Sequence, residues 1–353
     1  MWRVEANIAV EEQLQYGGID VMRTFKQRIN PFEQYREGEF FDKYRFPEEI
    51  FGGLVDILKP SLESFSHRSK ALEPSHQLCT AVRYFAQGGF LPMIADVHGM
   101  SNRSASNCIH TVANAIIHRM DTFIQWPDAD EITLAKQAFY ERGRGFPCIA
   151  GLIDGSHVEV IGPHRPANEA AFVNRGGWHS INTQIVCGPD LKIFDLDARW
   201  PGSSHDSFIL QNSHVWDRFE NGLVPDSWIL GNSGYPLKKW LLTPYATPGN
   251  NGQNRYNRAH KSIRSAIERC NGVWKMRWRC LTKPIMFQPA RASRIIAACG
   301  ALHNFAIQQK VPFNQVIDQN VMNAMEVDAG RAIIRNNNEG IRARNELVRR
   351  VFE

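Results

Sequence analysis

The chain has 353 residues, of which 43% are hydrophobic and 22% are charged, and its formal net charge at pH 7 is +5. This composition is typical of globular proteins and supplies enough apolar material for two domains. No two of the cysteines form a C-x-x-C pair, which argues against a zinc framework or a disulfide scaffold. The N-terminus carries Glu5, Glu11 and Glu12 where a secretory signal peptide would need an apolar core. No apolar run approaches the roughly 18 residues of a membrane span. We therefore expect a soluble intracellular protein.

Residues 1–140 predict an all-helical domain. Apolar residues from Phe46 to Leu58 recur at helical spacing, and Pro60 is expected to end that helix. Three further helical patterns cover residues 74–87, 90–97 and 102–120.

Residues 90–120 have the layout of a helix-turn-helix. Gly99 marks the turn, and Ser101 is a candidate N-cap for the longer second helix. In this layout Arg103 and Asn107 would face the major groove of DNA. However, helix pairs joined by a glycine turn are common, and this segment lacks the dense Arg and Lys content of a tight DNA binder. Taken alone, the segment favours simple helix packing.

From Cys148 onward the hydrophobic period changes from helical to strand-like. Four short runs, "CIAGLIDGSHVEV", "NTQIVCG", "LKIFDLDARW" and "SWILG", predict strands divided by glycine and proline. Helices are predicted at 206–220, at 255–279 and at 290–309. We therefore expect an α/β domain over residues 141–311, followed by a polar C-terminal tail over residues 312–353.

Polar residues follow two of the predicted strands. Asp154 closes the apolar run "IAGLI", and the following glycine leaves room for a phosphate to approach a metal ion held there. Asn232 comes directly after "WIL", where the active sites of α/β sheets usually open. The alternatives are an ordinary turn at Asp154 and a helix N-terminal role for Asp206. Asp195 and Asp197 alternate with apolar neighbours, which indicates the solvent face of a strand.

Residues 253–283 form a strongly basic segment. They contain nine Lys and Arg residues and one acid, Glu268, although a solvated helix face normally mixes both signs. A single carboxylate within a basic field suits a metal ligand at a site that receives the polyanionic backbone of nucleic acid. The alternative is a surface helix in which Glu268 forms an ordinary ion pair.

Several long motifs occur in a fixed order: "IDGSHVEV", "FDLDARWPGSSHDSFIL", "LGNSGYPLKKWLLTPY", "RYNRAHKSIRSAIERCNGVWKMRWRCL" and "IIAACGALHNFAI". From about residue 40 to 310, the chain closely resembles the PIF/Harbinger DDE transposase family, including its transposase-derived nucleases. The resemblance implies an RNase H-like mixed-sheet catalytic domain preceded by an all-helical domain with a helix-turn-helix.

The resemblance also implies a catalytic set of Asp154, Asn232 and Glu268, with Asp206 as a further ligand for Mg²⁺ or Mn²⁺. The family has an aspartate, in the pattern G-D-S-G-Y, where this chain has Asn232. An asparagine keeps one oxygen but loses the charge, so metal binding and cleavage should be impaired. The implied chemistry is hydrolysis of DNA phosphodiesters, with strand transfer in a true transposase. The predicted DNA contacts are Arg103, Asn107, Arg255, Arg258, Lys261, Arg264, Lys275 and Arg277.

The partners implied by the resemblance are double-stranded DNA, a Myb/SANT-like DNA-binding protein that aids nuclear import, and further copies of the chain. The expected location is the nucleus, together with the cytoplasm. A rival hypothesis is a domesticated, catalytically inactive adaptor that binds DNA or chromatin. A hydrolase acting on small phosphates would explain the acids but not the basic helix.

Overall fold

The computed structural model describes residues 28, 30–63, 71–164, 168–313, 317 and 337–353. The N-terminal part is helical: α1 (Pro31–Gln34), α2 (Glu37–Tyr44), α3 (Glu48–Leu62), α4 (Pro74–Gln87), α5 (Leu91–Val97), α6 (Asn102–His118), α7 (Met120–Phe123) and α8 (Ala129–Arg142). Within these described ranges, no helix has the length and apolar character needed to cross a membrane.

The C-terminal part alternates strands and helices. Its elements are β1 (Ile149–Glu159), α9 (Glu169–Phe172), β2 (Ser180–Cys187), β3 (Ile193–Pro201), α10 (Asp206–Gln211), α11 (His214–Glu220), β4 (Trp228–Leu230), β5 (Leu241–Leu242), α12 (Asn251–Arg277), a 3₁₀ helix (Arg279–Thr282), α13 (Pro289–Gln308), α14 (Asn338–Leu347) and a π-helical turn (Val348–Phe352). The predicted mixed α/β class is confirmed.

The strands form one five-stranded mixed sheet in the order β3-β2-β1-β4-β5. Strand β1 lies at the centre, antiparallel to β2 and parallel to β4. In the parallel pair, Leu152 lies opposite Leu230, the last residue of β4. Two residues further along each chain are Asp154 and Asn232, so the sheet register delivers both to the same place.

The helix boundaries follow local signals in the sequence. Ser101 caps α6, because its hydroxyl accepts a hydrogen bond from the amide of Ser104 at 3.1 Å. Helix α3 continues to Leu62, so the expectation that it ends at Pro60 is wrong by two residues. A proline this close to a helix C-terminus removes one hydrogen bond without preventing the last turn.

One hydrophobic core spans the helical and the α/β parts. The ring of Phe46, before α3, lies 5.8 Å from the ring of Trp278 and 5.6 Å from that of Phe305. Helix α6 packs against α4 and α13. Because of this shared core, the helical part supports the sheet directly.

The described end of the chain packs against the α/β part. The ring of Phe352 lies 5.4 Å from Phe146 and 5.7 Å from Tyr256, and the guanidinium of Arg344 lies 3.8 Å above the ring of Tyr245. Residues 337–353 are therefore not a polar tail. Only a few apolar residues, among them Leu347 and Phe352, anchor α14 and the π-helical turn after it. The low apolar content of this segment therefore did not predict a packed helix.

Candidate active site

Asp154 and Asn232 are in direct contact where β4 ends beside the middle of the central strand β1. The amide Nδ2 of Asn232 donates to Oδ1 of Asp154 at 2.8 Å, although the two residues are 78 positions apart. The amide oxygen of Asn232 accepts from the backbone N–H of Gly234 at 2.7 Å, which fixes the orientation of the amide. The structure thus brings together two of the three residues predicted to be catalytic.

Arg264 is the second partner of Asp154. Its Nη2 lies 3.1 Å from Oδ2 of Asp154, and each side chain is only 13% exposed. Burial raises the pKa of Asp154, while the charge of Arg264 and the hydrogen bond from Asn232 oppose that shift. Both carboxylate oxygens of Asp154 are therefore engaged, one by a neutral amide and one by a cation.

A second carboxylate, Asp206, lies against β1. A Cβ atom at Gly155 would collide with the carboxyl group of Asp206, so glycine provides the space for this acid. Oδ1 of Asp206 accepts from Nδ2 of Asn182 at 3.0 Å. Burial and the neighbouring Asp154 raise the pKa of Asp206 to about 6, against the opposing hydrogen bond from Asn182. The charge of Asp154 thus acts on Asp206, and the family resemblance implied that both acids bind metal.

Several buried polar atoms around these acids lack hydrogen-bond partners within the described part of the chain. They include Oδ1 of Asn182, the hydroxyl of Tyr235, and both side-chain polar atoms of Gln184. Gln184 lies opposite Gly155 in the sheet register. Buried oxygens without partners beside two carboxylates fit a cation or ordered water. Sequence reasoning missed Asn182, Gln184 and Tyr235, because their types occur widely in ordinary strands and turns.

Glu268 lies on α12, which crosses β1. On this helix Arg264 binds Asp154, and Lys275 donates to the carbonyl oxygen of His157 at 2.7 Å. At 3.6 residues per turn, Glu268 shares the face of Arg264 and Lys275. Its side chain is exposed. Among the described residues, however, no three His, Cys, Asp or Glu side chains form a group that could hold a metal ion.

The predicted phosphate contacts divide into exposed and buried residues. Arg258 and Lys261 are exposed on α12, and Arg255 is exposed but donates to the carbonyl oxygen of Phe352. Lys275 and Arg277 are only 1% and 4% exposed. The prediction that these two residues contact phosphate is therefore wrong, because their charged groups are buried and stabilise the fold.

The buried guanidinium of Arg277 is bound by two backbone carbonyl groups. It donates to the carbonyl oxygens of Val311 and Pro312 at 3.3 and 3.4 Å, and burial lowers its pKa to about 10. In the segment predicted to be a helix-turn-helix, Arg103 and Asn107 are both exposed on α6. Their exposure is compatible with a DNA contact and equally with an ordinary helix surface.

The strand β3 differs from its prediction. Asp197 is buried and accepts from the indole N–H of Trp200 at 3.0 Å, so it does not lie on a solvent face. Asp195 is half-buried.

His157 and His205 make hydrogen bonds to Ser180 and Arg175 at 2.9 and 2.7 Å, which are structural roles of the expected kind.

Comparisons with known proteins agree with this architecture. The model of the family described as "DDE superfamily endonuclease" matches residues 153–304, which include Asp154, Asp206, Asn232 and Glu268. The protein named "Putative nuclease HARBI1" of Mus musculus is 36% identical over 268 residues, covering 75% of this chain and 76% of the relative. Its Homo sapiens counterpart is 35% identical over 269 residues, with the same coverage. "Protein ALP1-like" of Arabidopsis thaliana is 29% identical over 256 residues, covering 68% and 62%. No solved structure matches the chain.

The fold and the matched segment define a protein of the DDE endonuclease class. The identity and the coverage then place the chain within that class: it belongs to the PIF/Harbinger DDE transposase family, together with the HARBI1 proteins.

Proposed function

We propose that this protein is a metal-dependent DNA nuclease of transposase descent, with an RNase H-like catalytic domain. The observation that carries the proposal is the hydrogen bond between Asn232 and Asp154, which brings the end of β4 to the acid of β1. The sheet order β3-β2-β1-β4-β5, with the acids on β1 and α10, supports the same assignment. The substrate is double-stranded DNA, such as the ends of a mobile element.

The donor set fits a divalent cation in its chemistry, although one acid is replaced. Asp154 and Asp206 would supply charged oxygens and Glu268 a carboxylate from α12, whereas the amide oxygen of Asn232 is engaged by the N–H of Gly234. A bound Mg²⁺ or Mn²⁺ would activate water and neutralise charge on the phosphodiester. Arg258 and Lys261 would bind neighbouring phosphates from the exposed face of α12.

Asn232 reduces the need for a cation in this site. An aspartate at this position would accept from Gly234 with one oxygen and would place its other oxygen about 2.8 Å from Asp154 Oδ1, which is the present distance of Asn232 Nδ2. Two carboxylate oxygens at that distance repel each other unless a cation lies between them. The amide replaces this repulsion with a hydrogen bond, so we expect weak metal binding and slow cleavage in the natural chain.

The test is cleavage of labelled end-sequence DNA by the natural chain and by Asn232→Asp. The aspartate should raise Mg²⁺- or Mn²⁺-dependent nicking, while DNA affinity should change little, because the exposed basic residues provide it. Adding Asp154→Ala should abolish the gain. A Myb/SANT-like partner should be present in the assay, because we propose that it guides the protein to its DNA and to the nucleus. We also propose that the active form is a homo-oligomer. Equal cleavage by the natural chain and Asn232→Asp would contradict the role assigned to position 232.

A second candidate is a DNA- or chromatin-binding adaptor without catalysis. The observation that favours it is the engagement of both Asp154 oxygens by groups of the protein itself, Asn232 and Arg264. In that case neither the natural chain nor Asn232→Asp would cleave DNA with any metal, while both would still bind DNA.

A further inference from the structure

An aromatic and basic surface lies on β3 and α10, beside the acid site. Phe208 of α10 is 50% exposed, although its large apolar ring would usually be buried. Its ring lies 5.2 Å from the ring of Trp200, edge to face at 83°. The guanidinium of Arg199 lies 5.1 Å from the centre of the Trp200 ring. The surface therefore combines a half-exposed aromatic ring, a second ring packed beside it and positive charge.

The fold holds this surface in place. Asp197 accepts from the indole N–H of Trp200 at 3.0 Å and forms an ion pair with Arg199 at 3.1 Å. Arg199 also donates to the carbonyl oxygen of Asn212 at 2.9 Å. A single buried carboxylate thus orients both the ring and the guanidinium. Pre-oriented groups lose little conformational freedom when a ligand binds.

The same surface is continuous with the acids. Trp200 lies opposite Asn182 in the sheet register, and Asn182 donates to Asp206 at 3.0 Å. On the same side, exposed Arg175 donates to Nδ1 of His205, the residue before Asp206, at 2.7 Å. A strand that left the acid site along α10 would therefore pass both Arg175 and the Trp200–Phe208 rings.

We infer that this surface, formed by Arg175, Arg199, Trp200, His205 and Phe208, binds an unpaired single-stranded segment of the DNA next to the acid site. The inference rests on the proposed function for the class of ligand. Unpaired bases stack on aromatic side chains regardless of sequence, and arginines track the phosphates between them. Unpaired bases reach Phe208 and Trp200, whereas paired bases keep their faces inside the duplex stack.

The experiment compares the full-length chain with Phe208→Ala and Phe208→Trp. Two DNA probes of the same end sequence are used, a blunt duplex and a fork whose single-stranded arm carries 2-aminopurine. Phe208→Ala should bind the fork roughly 10-fold more weakly and lose 2-aminopurine quenching, because one stacking contact is removed. Affinity for the blunt duplex should not change, and Phe208→Trp should retain fork binding. Tyr140→Ala is the matched control, since Tyr140 is an aromatic residue with 52% exposure on α8.

The outcomes separate this inference from the proposed function. If the natural chain binds duplex DNA but Phe208→Ala binds the fork as tightly as the natural chain, the single-strand site is refuted and the nuclease proposal stands. Equal weakening on both probes would also refute it, because it would indicate a general DNA contact. A change in sedimentation without any change in fork binding would make the surface a protein interface. If the natural chain binds neither probe even with the Myb/SANT-like partner supplied, the proposed function itself fails.

Discussion

Replacing Arg264 with methionine tests whether its guanidinium occupies the place of a cation beside Asp154. Methionine keeps much of the apolar stem and removes the charge. Arg264 and Asp154 are 3.1 Å apart and each 13% exposed, so the change leaves a carboxylate with little water around it. Removing one partner of a buried pair costs roughly 3–5 kcal/mol, and the residual exposure brings our expectation to about 3 kcal/mol. This corresponds to a fall in Tm of roughly 5 °C.

The pH dependence of that loss has a definite sign. Burial already raises the pKa of Asp154, and removing the arginine raises it further. A carboxyl group with a raised folded-state pKa destabilises the fold at any pH above that pKa, because burial disfavours its charged form. Below the pKa of the unfolded state the group is protonated in both states, and it has no effect on stability. Arg264→Met should therefore lose most stability near pH 8 and little near pH 4.

A divalent metal should restore what the arginine supplied. Thermal unfolding is followed with and without Mn²⁺ at pH 7.5, and a concentration of about 100 Kd adds roughly 2.7 kcal/mol to the state that binds it. We expect a larger Mn²⁺-dependent rise in Tm for Arg264→Met than for the natural chain, since no internal cation competes. Arg258→Met, exposed on the same helix, is the matched control and should behave like the natural chain. An equal rise in all three proteins would show that Arg264 does not compete with the metal.

Four further changes probe the site and its surroundings. Gly155→Ala should cost about 1–3 kcal/mol in urea unfolding, because the new methyl group would displace the Asp206 carboxyl. Asp206→Asn should stabilise the fold at pH 8 by about 2 kcal/mol and leave its stability unchanged near pH 4. The pKa of Asp206 is raised to about 6, so its charged form is unfavourable at pH 8, and the oxygen of the new amide can still accept from Asn182. Lys261→Met should weaken binding to all DNA sequences and reduce the salt slope by about one. Lys275→Met should leave the DNA salt slope unchanged and lower stability, because it leaves the carbonyl of His157 without its donor.

Strand pattern and chain order were enough to predict much of the site. Apolar runs lead into both Asp154 and Asn232, and parallel pairing of β1 with β4 brings the two side chains together. The expectation that Asp154 follows a strand is wrong, because β1 continues to Glu159. The glycine after Asp154 was expected to give a phosphate access to a metal, whereas in the structure the carboxyl group of Asp206 occupies the space beside it. These features are local, or follow from a single pairing of strands.

The direction in which a charged side chain points could not be predicted in the same way. Counting cations on α12 treated Lys261 and Lys275 alike, yet the first is exposed and the second reaches a backbone carbonyl in the interior. A long helix that crosses a sheet buries part of every turn, and lysine or arginine can occupy buried positions when a carbonyl lies within reach. Arg264 was expected to bind phosphate, whereas the structure pairs it with Asp154, a partner 110 residues earlier in the chain.

The charge balance at Asp154 connects the two functional candidates. A buried carboxylate has to be compensated, and here a guanidinium and a neutral amide do so within the protein. A second carboxylate at position 232 would double the negative charge, which one arginine cannot neutralise, and would make a divalent cation the better partner. When position 232 is asparagine, the free energies with which Arg264 and a metal ion bind the same oxygen of Asp154 are more similar. Under the proposed function, the rate of DNA cleavage therefore depends on this competition, and a polyanionic substrate that draws Arg264 toward a phosphate would shift it in favour of the metal.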